Sequence, residues 1–354
     1  MNKTLSFPHL GSYYIALKYF FSKVTDYKIL VPPPITKKTL ELGSKYSPDF
    51  VCLPFKYNLG NYIEALENKA NILLQFGGGC RYGYYAELQE KILRDLGYEF
   101  EFVNFIKNNH VSIFNIYKFC KKQKKCNIFK FIYYLINVFS MIISMDKLDR
   151  NLRENAPFEI EKNSFKKVHN CYLTKLENAK GLISIIKIHF KYKKKYKKIP
   201  IDKPKDHLKI GLLGELYSLM EQESSYNIES ILTNYKIEVK RYTTITYLLL
   251  QKKFKLKHLL KKGRKYLKYH LGADATESVV KMLELAEKNF DGIVHIKCFG
   301  CTPELNAVSI MDKISNDYNI PVLHFSFDTQ EAEAGIHTRL EAFYDMLVQR
   351  KNKL

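Results

Sequence analysis

Three cysteines stand where thiols could meet a ligand. Cys52 closes Asp49-Phe50-Val51-Cys52 and is followed by Leu53-Pro54. Cys80 follows the apolar run Asn71 to Phe76 and three glycines, Gly77 to Gly79. Cys301 follows Gly292 to Lys297, with Cys298 three residues earlier. Each reads as lying just past the carboxyl end of a strand, where open α/β sheets bind ligands. Thiolates are soft ligands that suit iron–sulfur clusters, zinc and copper(I), and a cluster is usually held by four cysteines. The spacing leaves three chemistries open. Cys52, Cys80 and Cys301, with Cys298 as a candidate fourth ligand, could hold one metal centre; three protein ligands would leave a position open to substrate. Cys298 and Cys301 could instead be a redox pair activated by the helix beginning at Pro303. All could equally be buried apolar thiols. Cys120, Cys126 and Cys171 read as incidental.

Two carboxylates have strand-end placements suited to acid–base work: Glu215 in the turn Gly214-Glu215, and Asp328 after the last apolar run, with Glu331 and Glu333 close behind. They read equally as negative charges at helix N-termini. His9, His295, His324 and His337 are scattered and read as satisfied core or surface residues. Gly77-Gly78-Gly79-Cys80-Arg81-Tyr82-Gly83 could aim amides at an anion, or be a plain strand-to-helix turn. It lacks the lysine and Ser/Thr of a P-loop.

The elements that must place these residues alternate. Strands are expected at Leu5–Phe7, Lys28–Val31, Phe50–Cys52, Ile72–Phe76 and Glu99–Val103. Helices lie between them, one capped by Thr36 and running towards Gly43, one with Leu59, Tyr62, Ile63 and Leu66 inward, one with Tyr84, Leu88, Ile92 and Leu96 inward. The alternation returns after residue 206. Strands are expected at 207–213, 237–239, 292–297 and 321–327. A helix at 276–290 buries Val279, Met282, Leu283 and Ala286. The helix from Pro303 places Leu305, Val308, Met311 and Ile314 inward, and the last buries Leu340, Phe343 and Leu347. Such repeats imply an α/β fold of two Rossmann-like, doubly wound parallel-sheet lobes. They are joined by a mostly helical segment, with divisions at 1–107, 108–206 and 207–354.

The 354 residues, 46% of them hydrophobic, can fill two cores. The net charge of +21 would draw nucleic acid, anionic membrane or acidic partners, though a lysine-rich solvated surface has the same composition. Lysines cluster at 121–125 and 191–198, the second run interleaved with Tyr192 and Tyr196 as in a stacking footprint; a charged helix end explains it as well. No signal peptide is read, and seven cysteines without a disulfide framework fit a reducing cytoplasm. The uncharged stretch Phe131–Met145 is shorter than a spanning helix needs, so a buried helix is expected and no membrane insertion.

Several stretches together resemble the 2-hydroxyacyl-CoA dehydratase/benzoyl-CoA reductase superfamily, and within it the CoA-dehydratase activase-related (CoA protein activase) branch. They are Phe7-Pro8-His9-Leu10-Gly11, Val31-Pro32-Pro33-Pro34-Ile35-Thr36, Cys52-Leu53-Pro54, Cys80-Arg81-Tyr82-Gly83-Tyr84-Tyr85, Gly211 to Tyr217, Cys301-Thr302-Pro303-Glu304, and Phe327 through Gly335 with Thr338 to Phe343. The resemblance implies a [4Fe-4S] cluster, or a larger double-cubane cluster as in related proteins, ligated by Cys52, Cys80 and Cys301. Cys298 is not a ligand position in the family pattern. In the family's dehydratases an ATP-hydrolysing activator injects one low-potential electron. A 2-hydroxyacyl-CoA becomes a ketyl radical and then loses water. The expected function is therefore an iron–sulfur component for acyl-CoA dehydration or reduction, as a homo- or heterodimer. The alternatives are a non-catalytic electron carrier or assembly partner, or a basic nucleic-acid-binding protein. Two departures bear on this. Gly79 stands where the family has a residue such as proline, and Glu331-Ala332-Glu333-Ala334-Gly335 replaces a more usual Gln-Thr-Gly-Glu-Ala-Gly-like stretch.

Overall fold

A computed structural model describes residues 3–108, 110–122 and 126–353. Its contacts divide the chain into two compact units, Met1–Met141 with Leu176–Ile185, and Ile142–Lys175 with Ile186–Leu354.

The first unit opens with β1 (Thr4–Ser6), α1 (Tyr14–Val24), β2 (Lys28–Ile29), α2 (Lys37–Tyr46), α3 (Leu53–Glu67), β3 (Ile72–Gln75), α4 (Tyr85–Asp95) and β4 (Glu101–Asn104). Its sheet has the order β2-β1-β3-β4 and every pairing is parallel. The Thr36 side chain accepts from the Thr39 N–H and starts α2, as expected. That helix does not stop at Gly43. Gly43 faces Gly60 of α3, where a methyl group on either would collide with the other helix's backbone, at the Lys56 or the Thr39 carbonyl. Glycine is there so that two helix backbones can touch. Helix α3 is buried all round, from Leu53 to Leu66, so its polar residues must find partners. The Thr39 hydroxyl bonds the Glu64 carboxylate at 3.1 Å, and Asn61 bonds the Pro33 carbonyl at 3.1 Å.

Next come β5 (Ile106–Lys107) and β6 (His110–Val111), an antiparallel pair, and α5 (Ile113–Lys121), α6 (Ile128–Asn155), α7 (Ser164–Glu177) and α8 (Leu182–Tyr196). Part of the first lysine run, residues 123–125, lies outside the described residues. In the second run Tyr192 and Tyr196 are buried, Tyr196 against His169 with its hydroxyl 2.6 Å from Nδ1. The aromatic rings that a stacking footprint requires are therefore core residues. Helix α6 is longer than its uncharged stretch suggests. At 28 residues it is long and apolar enough to cross a membrane. Only 39% of its apolar window is buried, and Phe129, Ile132, Tyr133 and Ile136 are exposed. The expectation of a buried helix holds for one face of the stretch only: Phe131, Val138, Met141, Ile142 and Met145 are buried, whereas Ile132, Tyr133 and Ile136 are exposed.

The second unit carries β7 (Lys209–Gly214), α9 (Leu216–Met220), α10 (Ile228–Asn234), β8 (Glu238–Arg241), α11 (Lys252–Lys262), α12 (Ala275–Ala286), β9 (Gly292–Cys298), α13 (Thr302–Tyr318), β10 (Val322–Phe327) and α14 (Glu333–Asn352). Its sheet runs β10-β9-β7-β8, again all parallel. Both sheets have the expected α/β class. The core gathers Val279, Met282, Leu283, Leu285, Met311 and Ile314, and Leu340, Phe343 and Leu347 of α14 are buried as expected.

Candidate functional site

Cys52 does not end a strand. Residues 49–51 form a turn in which the Val51 N–H bonds the Pro48 carbonyl, and Phe50 is 75% exposed. The flanking prolines, Pro48 and Pro54, favour a turn and then a helix start over a strand. Cys52 is instead the N-cap of α3, with φ −75° and ψ 159°. Its sulfur is buried 2.9 Å from the Tyr85 hydroxyl. Burial first, and the neighbouring Cys52 sulfur second, hold the Tyr85 phenol well above its ordinary pKa, so its hydroxyl stays protonated.

Cys80 follows β3 as expected. Gly77 and Gly79 take φ +121° and +90°. A Cβ at Gly77 would strike the Tyr82 ring, and the proline of the family pattern could not adopt the conformation of Gly79, because its ring fixes φ near −65°. Cys80 caps the short 3₁₀ turn Arg81–Tyr84, its sulfur accepting from the Tyr82 N–H at 3.4 Å. The Tyr82 and Tyr85 rings lie 5.5 Å apart, so Cys52 and Cys80 both touch one tyrosine pair. Asn58 of α3 donates to the Tyr82 hydroxyl. The 3₁₀ turn also shifts the helix that follows. Helix α4 buries Tyr85, Ala86, Gln89 and Leu93, one residue out of register from the expected stripe that began at Tyr84.

Cys301 is the N-cap of α13, partly exposed, with its N–H bonded to the Cys298 carbonyl at 3.0 Å. Cys298 ends β9 and is buried. No cysteine is in a disulfide. The donor chemistry fits a thiophilic centre. Cys52 and Cys301 stand at the N-termini of helices 15 and 17 residues long. Among the described residues no three His, Cys, Asp or Glu side chains are grouped as a metal site. Cys120 is buried, which pushes its thiol pKa up; Cys126 is also buried and Cys171 is exposed.

Glu215 follows β7 and caps α9, accepting from the Tyr217 and Ser218 N–H groups and from the Ser218 hydroxyl at 2.8–3.0 Å. Its burial pushes its pKa up to about 7, against the pull of those donors. Asp328 lies in the exposed loop after β10 and accepts from the Thr329 N–H at 2.8 Å. A cleft of about 490 Å³ in the first unit, lined by Lys18, Tyr19, Ser22, Lys23, Glu177 and Lys180, includes none of these candidates.

The histidines are less scattered than the sequence suggests. His295 of β9 and His324 of β10 are paired in register, and their Nδ1 atoms lie 2.9 Å apart. His295 Nε2 is 2.8 Å from Glu304 Oε2, and His324 Nε2 is 3.1 Å from Asp312 Oδ1. Glu304 is buried because α13 turns Glu304, Ala307, Met311 and Ile314 inward, with Leu305 exposed. The expected stripe had the right end and the wrong start. A signal was available: Gly292-Ile293-Val294-His295 and Pro321-Val322-Leu323-His324 place a histidine at matching positions of two similar strands.

Two parallel sheets flanked by helices define a Rossmann-like α/β class of protein. Residues 252–347, from α11 into α14, match the family described as 2-hydroxyglutaryl-CoA dehydratase, D-component. That match is a likeness of this C-terminal segment to a 2-hydroxyacyl-CoA dehydratase component. No curated protein matches the chain.

Proposed function

We propose that this chain is an iron–sulfur component of a 2-hydroxyacyl-CoA dehydratase system, of the activase-related kind, working in a reducing cytoplasm. In this reading Cys52, Cys80 and Cys301 supply thiolates to a [4Fe-4S] cluster, an ATP-hydrolysing activator delivers a low-potential electron, and an acyl-CoA is dehydrated or reduced. The observation that carries it is the pair of long-helix N-caps occupied by Cys52 and Cys301, in a chain whose 252–347 segment matches a dehydratase component. The bound group would supply one-electron transfer. The protein's own contribution is to orient the thiols, Cys52 and Cys301 as the N-caps of α3 and α13. The Tyr85 hydroxyl lies at hydrogen-bond distance from the Cys52 sulfur and would donate to a thiolate there, and the Tyr82 N–H donates to the sulfur of Cys80. Hydrogen bonds of this kind tune a cluster's potential. Glu215 and Asp328 remain the candidate acid–base groups.

The test is anaerobic purification with iron and sulfide quantification and electron paramagnetic resonance. Wild type should hold iron and sulfide in equal amounts, and Cys52→Ala, Cys80→Ala and Cys301→Ala should each lose most of both. Iron content untouched by all three substitutions would refute the ligand assignment. Acyl-CoA turnover with the activator then separates a catalytic component from an electron carrier.

A further inference from the structure

The second unit contains a buried chain of four titratable groups that the thiol chemistry does not use. It runs from Asp312, 57% exposed, through His324 and His295 to Glu304, the last two fully enclosed between the sheet and α13. Every link is of hydrogen-bond length, from 2.8 to 3.1 Å. At the inner end the Ser278 hydroxyl of α12 donates to Glu304 Oε1 at 3.1 Å.

The surface end dictates where each proton sits. A carboxylate at the exposed Asp312 end can only accept, so His324 Nε2 carries the proton donated to it. A neutral His324 then has a bare Nδ1, which must accept from His295 Nδ1–H. A neutral His295 has a bare Nε2, and its partner Glu304 must supply the proton. Neutrality of both rings agrees with their surroundings. Burial holds His324 below its ordinary value, with His295 adding to the effect. Burial and the nearby Lys297 push His295 down to about 3. Burial, assisted by Asp274, pushes Glu304 up to about 8, against Ser278, Lys252 and Lys297. Arg339 of α14 also lies beside the chain, donating to the His324 carbonyl.

We propose that Asp312, His324, His295 and Glu304 form a proton wire that connects solvent to a proton stored on Glu304 at the first turn of α13. Transfer outward breaks the Glu304 O–H bond and forms His295 Nε2–H. It breaks His295 Nδ1–H and forms His324 Nδ1–H, and the Nε2 proton of His324 leaves through Asp312. The four residues lose one proton to solvent, and Glu304 becomes the carboxylate. The wire rests on the second unit alone and is independent of the acyl-CoA reading. Dehydration is one reaction such a store would serve, since a hydroxyl departs as water only when protonated.

Nitrogen-15 NMR of the full chain, labelled at histidine, reads the ring tautomers. Infrared spectroscopy reads the Glu304 carboxyl band, assigned by its loss in Glu304→Gln. At pH 7 the expected state is Nδ1–H on His295, Nε2–H on His324 and a protonated Glu304. In His324→Asn the amide oxygen can still accept from His295 but cannot pass a proton on. Deuterium uptake at Glu304 should slow at least tenfold, in a variant whose thermal midpoint and spectra report an intact fold. Asp312→Asn should slow it as well. Uptake in His324→Asn at the wild-type rate would reduce the chain to a structural network. An ionised Glu304 beside His295 Nε2–H at pH 7 would overturn the proposal without any variant.

Discussion

Glu304 is a glutamate of the first turn of α13, a position where a charged carboxylate would ordinarily be welcome. Here it is enclosed and protonated, and stability should depend on that. Between its ordinary value of 4.5 and about 8 the native protein holds a proton that the unfolded chain releases. Stability from this group therefore falls as pH rises through that window, by about 1.4 kcal/mol per pH unit. His295 acts oppositely: between about 3 and 6.5 the unfolded chain binds a proton that the native one does not, so stability rises with pH. Glu215 falls like Glu304, but only up to about 7. The wild-type urea midpoint should therefore drop between pH 7 and 8. Glu304→Gln should show little of that drop, so the two curves separate progressively from pH 5 upward. Parallel curves would mean that Glu304 is ionised in the native state. None of this was legible from Glu304 itself. A buried polar side chain breaks the apolar pattern by which a helix is phased, and only its partners explain its burial.

The helices show where such phasing succeeds. Helix α14 buries Ile336, Leu340, Phe343 and Leu347, an unbroken apolar stripe that the sequence displays directly. Helix α4 puts Gln89 inside, where it donates to the Phe55 carbonyl at 3.3 Å. Helix α13 puts Glu304 inside, and in both the apolar count selects a stripe one residue away. The contact of α2 with α3 is a different case, since it depends on two glycines meeting face to face. Gly43→Ala and Gly60→Ala should each cost about 3 kcal/mol, because backbone and not a pliable side chain meets the new methyl. Gly335→Ala, in an exposed stretch of α14 with open space around it, should stabilise by up to about 1 kcal/mol. Urea unfolding of the three variants checks both signs.

Across the whole molecule, the net charge of +21 invites a nucleic-acid reading that the structure weakens at its most specific point. The lysines of α8 lie beside tyrosines that belong to the interior. Tyr196→Ala should destabilise by about 3–5 kcal/mol, while Lys194→Ala should stay within about 0.5 kcal/mol; equal effects on a thermal melt would contradict the burial of Tyr196. The sequence by itself determined the α/β class, the repeated strands and the thiols worth testing. These follow from periodicity, from caps such as Thr36 and from local motifs, all of which are written within a few residues of one another. Tertiary structure decided that Cys52 caps a helix instead of ending a strand, that Tyr82 and Tyr85 join it to Cys80, and that two histidines 29 residues apart link Asp312 to Glu304. Those outcomes depend on which strands lie side by side and which polar groups lose their water together. The chain fixes such pairings only when its two cores have formed.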